Sequence, residues 1–327
     1  MELDRVLFLV SYALDPVRWR DQLVPVDDRS TLVEAMAHLW LAATLRSLRR
    51  GPLQDYQRRD EAIPTVRGRI RIEEQLRVRH GLMPPVEVTY DEFTTDIKEN
   101  RIVKAAALRV ARFPLRRRPI RDQLAGVFAV LDNVPAATYD ARHLPEVSYT
   151  RLNEHYRPAV ELSKLILAAA SVELGANRRS AQSFLVNMNE VFETFLLVAL
   201  SQAMPADRVV RERGVYLDQA GRVPMKPDLT WLDGTRPVFV GDAKYKALRD
   251  VDGRNADLYQ LLAYVVALGL PAGMLIYAAG EGEPGRHVVI DLGRRLHVER
   301  LDVSGDPQEI LASVARLAQR ISDLSLA

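Results

Sequence analysis

Three side chains in the second half of the chain have the types and spacing for phosphodiester chemistry. Pro227-Asp228 precedes Asp242-Ala243-Lys244, and apolar residues adjoin both, in Leu229-Thr-Trp-Leu232 and Val238-Phe-Val240. The stretch between, Asp233-Gly-Thr-Arg-Pro237, is rich in turn formers, so the pattern predicts a β-hairpin. Pro237 has no N–H and fits a loop better than a ladder. With a five-residue loop over 233–237, Leu232 faces Val238, and counting back along both strands sets Asp228 opposite Asp242. Lys244, two residues further on, shares the face of Asp242. Carboxylates so paired would lie roughly 5 Å apart in an apolar sheet, where their repulsion and desolvation oppose folding. A cation held between the oxygens resolves that conflict, and hard oxygen donors select Mg²⁺, with Mn²⁺ as its substitute. A divalent ion beside an ammonium group can hold a phosphodiester and an attacking water. The same residues also admit a structural reading, because D-x-K is a common triplet. In that reading Asp228 caps a strand entrance while Asp242 and Lys244 form an exposed ion pair.

These groups need a sheet and a helix to hold them. A helix over 255–268 brings Asp257, Gln260 and Tyr264 onto one face. Residues 182–203 read as a strongly apolar helix. Strands are predicted near 208–217, 226–232, 238–244, 272–279, 286–291 and 296–303, with a closing helix at 307–324. This is α/β order, a mixed sheet flanked by helices. The first half reads as mainly helical, with helices near 30–50, 97–112, 120–132 and 150–173 and a strand at 86–90. The expected domains are therefore a mainly helical N-terminal one, 1–178, for partner or DNA contact, and a sheet domain, 179–327.

A chain of 327 residues suits two domains. The absence of Cys excludes disulfides, thiolate nucleophiles and iron–sulfur clusters. The six His show no metal-ligand spacing. No G-x-x-x-x-G-K-[ST] or G-x-S-x-G motif is present. Gly280-Glu-Gly282-Glu-Pro-Gly285 matches a dinucleotide-binding pattern, but the strand-like Arg286-His-Val-Val-Ile290 follows it instead of a helix, so a hairpin loop is expected. No apolar run reaches ~18 residues, and the N-terminus lacks a signal-peptide cleavage pattern, which predicts a cytoplasmic protein without membrane spans. Lys and Arg total 45 against 43 acids, and that balance names no partner. Placement is more informative: ten Arg against five acids lie in residues 41–80, and Arg112, Arg116, Arg117, Arg118 and Arg121 cluster. Such groups are phosphate-binding patches or solvated faces.

Pro227-Asp228 with Asp242-Ala243-Lys244 resembles the PD-(D/E)xK nuclease core, and Gln260-Leu-Leu-Ala-Tyr264 resembles the Q-x-x-x-Y element of its RecB-like branch. More narrowly, the chain resembles McrC, the nuclease subunit of McrBC modification-dependent restriction systems. Gly68-Arg-Ile70, Tyr90-Asp-Glu-Phe-Thr-Thr-Asp96, Glu99-Asn-Arg-Ile-Val-Lys104, Asn189-Glu-Val-Phe-Glu193 and Asp257-Leu-Tyr-Gln260 carry that resemblance by their order and spacing. It implies a Mg²⁺-dependent DNA endonuclease with a restriction-endonuclease-like second domain. Asp228, Asp242, the Ala243 carbonyl and Glu193 would be metal ligands, with Glu190 a competitor for the last role. Lys244 would be the catalytic lysine. Gln260 and Tyr264 would orient it or contact the DNA backbone, and Lys246, Arg116, Arg117 and Arg118 are further DNA contacts. The implied partners are double-stranded DNA and an McrB-like AAA+ GTPase hexamer. Longer members carry a strand-rich arm ahead of the matched region, which this chain is expected to lack, so stimulation of the GTPase is the less secure part of the implied role. The alternatives are a stand-alone nuclease of repair or recombination, and a non-enzymatic DNA-binding scaffold.

Overall fold

The apolar run at the start of the chain is a helix, α1 (Leu3–Leu14), whose Val6 through Tyr12 are all buried. Its Phe8 and Tyr12 rings meet the edge of Phe195 at 5.7 and 5.6 Å, which ties the N-terminus to the C-terminal half. The computed structural model describes residues 3–17, 32–115, 118–140, 143–169, 187–204, 208–211, 213–245, 251–278, 285–289 and 293–325. It divides into two units, Thr31–Leu185 and Met1–Ser30 with Val186–Ala327. The first thirty residues thus join the sheet-bearing unit, whereas the sequence reading ran the helical domain from residue 1. The reason is that an amphipathic run of this kind is stable where its apolar face finds a core, and here that core includes Phe195.

In that unit a six-stranded mixed sheet runs in the order β10-β11-β9-β8-β7-β4. Its strands are β4 (Arg208–Arg211), β7 (Leu229–Asp233), β8 (Arg236–Lys244), β9 (Ala272–Tyr277), β10 (Gly285–Val288) and β11 (Arg295–Arg300). β9 is parallel to both β8 and β11, and the other pairs are antiparallel. A separate hairpin of β5 (Val215–Tyr216) and β6 (Pro224–Met225) leads into Pro227-Asp228. Helix α8 (Val251–Ala267) makes the crossover between parallel β8 and β9. Its Leu261, Tyr264 and Val265 pack on Val240, Leu275, Tyr277 and Val298 of the sheet. α7 (Met188–Ala203) and α9 (Pro307–Ser325) also pack on β8 and on each other. Of the G-x-G-x-x-G stretch, residues 280–284 lie outside the described residues, and a strand begins at Gly285.

Gly273 sets the distance between α8 and the sheet. A Cβ there would stand 2.6 Å from Val265 and 3.0 Å from Leu261. Gly273→Ala is therefore expected to push away the helix that carries Asp257, Gln260 and Tyr264. Overpacking of this kind costs ~1–3 kcal/mol, measurable by urea unfolding; an unchanged midpoint would mean that α8 yields without strain.

The unit Thr31–Leu185 holds α2 (Leu32–Ser47), α4 (Lys98–Val110), α5 (Arg118–Val130) and α6 (Arg157–Ala169). Trp40 Nε1 donates to Ser163 Oγ at 2.8 Å between α2 and α6. The unit also contains a three-stranded sheet of β1 (Asp55–Ile63), β3 (Val86–Thr94) and β2 (Arg69–Ile70), with α3 (Ile72–Arg79) following β2. The sequence reading expected helices and a single strand here. β1 escaped it because Asp-Tyr-Gln-Arg-Arg-Asp-Glu-Ala-Ile has no fully buried residue and so no apolar alternation. β1 pairs with β3 along its full length, and part of the Arg excess of this region is matched by acids. Arg59 meets Glu92 at 3.0 Å and Asp96 at 3.4 Å, Arg77 meets Glu74 at 2.6 Å, and Arg79 meets Glu87 at 2.9 Å. Arg67 stacks on the Tyr90 ring at 4.3 Å. Arg59 and Arg67 thus brace the sheet, and Arg79 ties α3 to β3. Among the described residues no helix is long and apolar enough to cross a membrane.

Candidate active site

The β7–β8 hairpin closes more tightly than the five-residue loop expected of it. Asp233 pairs with Arg236 across a turn of Gly234 and Thr235, and Gly234 adopts φ +59°, a conformation that favours glycine. Pro237 lies inside the ladder, opposite Leu232, beside a register shift between Trp231 and Leu232. A bulge is where a strand tolerates a residue with no N–H. The shift compensates for the shorter turn, so beyond it Trp231 faces Phe239 and Leu229 faces Gly241. Continued by one residue, the ladder sets Asp228 opposite Asp242, the pairing counted from the sequence by a different turn.

Asp228 stands just before β7, and its Oδ2 accepts the Ala243 N–H at 2.8 Å. Its carboxylate thus takes the place of a ladder partner, as the strand-capping reading held. The N–H and C=O of one strand residue point to the same side, so the Ala243 carbonyl faces the same edge as Asp228. Asp242 is only 1% exposed, and its Oδ2 lies 2.5 Å from Lys244 Nζ. The ammonium is the counter-ion of that oxygen. The ion pair of the structural reading exists, but on the Asp242 side it is buried, not exposed.

Burial raises the pKa of Asp228 first, and the Asp242 charge second; the Ala243 N–H opposes them and Glu193 adds to them, leaving the carboxyl pushed up to about 7. For Lys244 burial favours the neutral amine. The charges of Asp242, Asp228 and Asp257 more than offset this, and the pKa stands above its ordinary value. Lys244 is thus a fixed cation, suited to stabilising negative charge and not to taking up a proton.

Glu193, half-buried on α7, is near enough for its charge to act on Asp228, whereas Glu190 is exposed. Phe192 of the same helix lies 6.0 Å from the Tyr245 ring, and Asn189 Oδ1 accepts the Tyr245 N–H at 3.2 Å, which anchors the end of β8 to α7. Gln260 is exposed, and its amide donates to the Tyr264 hydroxyl at 2.7 Å. Tyr264 in turn donates to the Lys226 carbonyl at 3.3 Å, fixing the approach to Pro227-Asp228. Burial raises the Tyr264 pKa, so the phenol is neutral. The described hydrogen bond of Gln260 therefore goes to Tyr264, the second member of its motif. Lys246, Arg116 and Arg117 lie outside the described residues; Arg118 is exposed and 3.9 Å from Asp122.

Two residues that the sequence reading gave no role also belong here. Asp257, 7% exposed, accepts a hydrogen bond at 2.7 Å from the hydroxyl of Tyr277, 1% exposed. Asp257 was legible as a member of the Gln260 face. Tyr277 was not, because it joins the site as the ladder partner of Lys244 across a parallel pair that no local pattern encodes.

Among the described residues no three His, Asp or Glu side chains converge to hold a metal alone. A buried Asp242 carboxylate beside a carboxyl of raised pKa nevertheless suits a cation that keeps most of its ligands as water or phosphate. This is how Mg²⁺ is ordinarily held, by one or two carboxylates and substrate phosphates.

The profile of the family described as McrBC 5-methylcytosine restriction system component matches residues 6–278. The type IV methyl-directed restriction enzyme EcoKMcrBC of Escherichia coli (strain K12) is 21% identical over 271 residues, 76% of this chain and 77% of that protein. The fold is similar to a chain of the refined half-complex from the tetradecameric assembly of Thermococcus gammatolerans McrB AAA+ hexamers with bound McrC. That match has a TM-score of 0.50 and 20% identity, over 97% of this chain and 76% of the other. Because the family profile covers most of the chain, through the hairpin, the crossover helix and β9, this protein belongs to the McrBC 5-methylcytosine restriction system component family.

Proposed function

We propose that this chain is the Mg²⁺-dependent DNA endonuclease subunit of an McrBC-like restriction system. In this reading it works in the cytoplasm with an McrB-like AAA+ GTPase hexamer. The observation that carries the proposal is the meeting of Asp228, Asp242 and Lys244 at one end of the adjacent interior strands β7 and β8, with Asp242 buried against the Lys244 ammonium. Asp228, Asp242 and the Ala243 carbonyl would hold the cation, and Glu193 would reach it directly or through water. When bound, Mg²⁺ would polarise a phosphoryl oxygen and acidify a water. The Lys244 ammonium would hold the scissile phosphate and stabilise the negative charge that builds on it. The neighbouring carboxylates, Asp242 foremost, keep Lys244 charged. Tyr264, buried and held by Gln260, keeps the Lys226–Asp228 approach in place, and the exposed Gln260 is the member of the pair that would face the DNA backbone. The relative named as a methyl-directed restriction enzyme supports DNA as the substrate, and the McrC bound to AAA+ hexamers supports a motor partner.

The test is cleavage of modified and unmodified plasmid by the purified chain with Mg²⁺, with and without an McrB-like AAA+ GTPase from the same organism and GTP. Slow cutting alone and nucleotide-dependent cutting with the motor are expected. Fast cutting of unmodified DNA, unchanged by motor and GTP, would favour the stand-alone nuclease; binding without cutting under every condition would favour the scaffold. Salt separates the roles of the basic residues. If Arg118 and its neighbours Arg116 and Arg117, with Lys246, contact phosphates, duplex affinity should fall with log salt by about one slope unit per contact. Replacing the three Arg by Gln should then flatten the slope by up to about three units. An unchanged slope would assign them to a solvated face.

A further inference from the structure

Asp257 is a buried carboxylate in the site for which the reaction derived above has no use. It lies one helical turn before Gln260 on α8 and is bonded to Tyr277. Tyr277 is the partner of Lys244 in the β8–β9 ladder, so the two side chains stand side by side on the face that α8 covers. A carboxylate in such a place is costly unless donors and a cation compensate it. Tyr277 is one donor, and Lys244 is a cation on that face near enough for the Asp257 charge to act on it.

Lys244 meanwhile occupies the wrong oxygen. Its ammonium is 2.5 Å from Asp242 Oδ2, a ligand that the cation would need. Metal and ammonium therefore compete for one carboxylate unless the ammonium has somewhere else to go. We infer that the Asp257–Tyr277 pair is the second seat of the Lys244 ammonium: it draws the lysine off Asp242 as the cation arrives and holds it toward the phosphate. Asp257 and Tyr277 are positioning residues that act through Lys244. The shift changes no protonation state and no covalent bond. This inference rests on the metal-site reading proposed above.

The full-length chain titrated with Mn²⁺ alone, followed by calorimetry, tests it without any turnover. Asp257→Asn should weaken Mn²⁺ binding by about tenfold, because the ammonium is then left on Asp242. Tyr277→Phe should act in the same direction, by about threefold. Lys244→Met should tighten Mn²⁺ binding, and in that background Asp257→Asn should change it by less than about twofold, because no ammonium remains to be drawn away. Equal weakening in both backgrounds would make Asp257 just another negative charge near the cation and overturn the inference, as would no change in either. If Asp257→Asn does not fold, Tyr277→Phe with and without Lys244→Met completes the same cycle. Should wild type and Asp242→Asn alike bind no Mn²⁺, the metal site itself falls and the inference with it. Weakening by Asp257→Asn that vanishes with Lys244 is the result that supports it.

Discussion

Asp242→Ala and Lys244→Ala are expected to abolish DNA cleavage, each by at least ~10²–10³-fold, while leaving the fold intact. Asp242 is the counter-ion of Lys244 and, in the proposed reading, the buried carboxylate for the cation, so its loss would remove two functions at once. Lys244→Ala removes the positive charge that would meet the phosphate but leaves both carboxylates. The two variants should therefore part company in metal binding, lost in the first and retained or tightened in the second. Stability should move little for Asp242→Ala. Relief of the repulsion that helps raise the Asp228 pKa opposes the loss of the Lys244 ion pair. Circular-dichroism melts would verify the fold, and plasmid nicking with the motor and GTP would verify the chemistry. Full cutting by purified Asp242→Ala, under conditions where wild type cuts, would sink the assignment of the site.

The second large effect is on stability against pH. The Asp228 carboxyl moves from an ordinary 3.8 to about 7 in the fold. Between those values the native chain keeps a proton that the unfolded chain releases, so native stability falls as pH rises through the window. The full shift would correspond to ~4 kcal/mol, and because the group is partly exposed, solvent screening reduces this to ~1–2 kcal/mol. Without metal, the melting temperature is expected to drop by ~2–8 °C between pH 4.5 and 7.5 beyond what an Asp228→Asn variant shows. Mg²⁺ favours the ionised form, so at pH 8 saturating Mg²⁺ should restore stability, by ~2.7 kcal/mol at a hundredfold excess over its dissociation constant. Matching pH slopes in wild type and Asp228→Asn would show that Asp228 titrates normally and that the pair is not strained.

The hairpin illustrates how far local pattern reaches. Apolar strands around a Gly-containing turn sufficed to put Asp228 across from Asp242. The loop was nonetheless too long by the residues Asp233, Arg236 and Pro237, all of which belong to the ladder. A bulge cannot be counted from composition, because its position depends on the backbone twist and on the Pro237 nitrogen having no hydrogen to give. β1 failed for a different reason: it is stabilised by pairing with β3 and by ion pairs such as Arg59–Glu92, neither of which leaves an apolar period in the chain. α1 was visible as an apolar patch, but nothing in its own residues says that Phe195, far along the chain, supplies its core.

The juxtaposition of the three polar residues was legible without coordinates. Residue type and spacing were enough for Asp228, Asp242 and Lys244, because strand alternation and a short connection are local and leave few registers open. The order of strands and helices was enough for a mixed sheet flanked by helices. Burial and partnership were another matter. That Asp242 is sealed to 1% exposure, that Gln260 bonds Tyr264, and that Tyr277 stands between Lys244 and Asp257 follow from the parallel β8–β9 pairing and from the close seat of α8 over Gly273. Parallel strands are joined through a long crossover, so their register is set by packing across the whole sheet and not by any turn; the environment of each charge is fixed only once that packing closes.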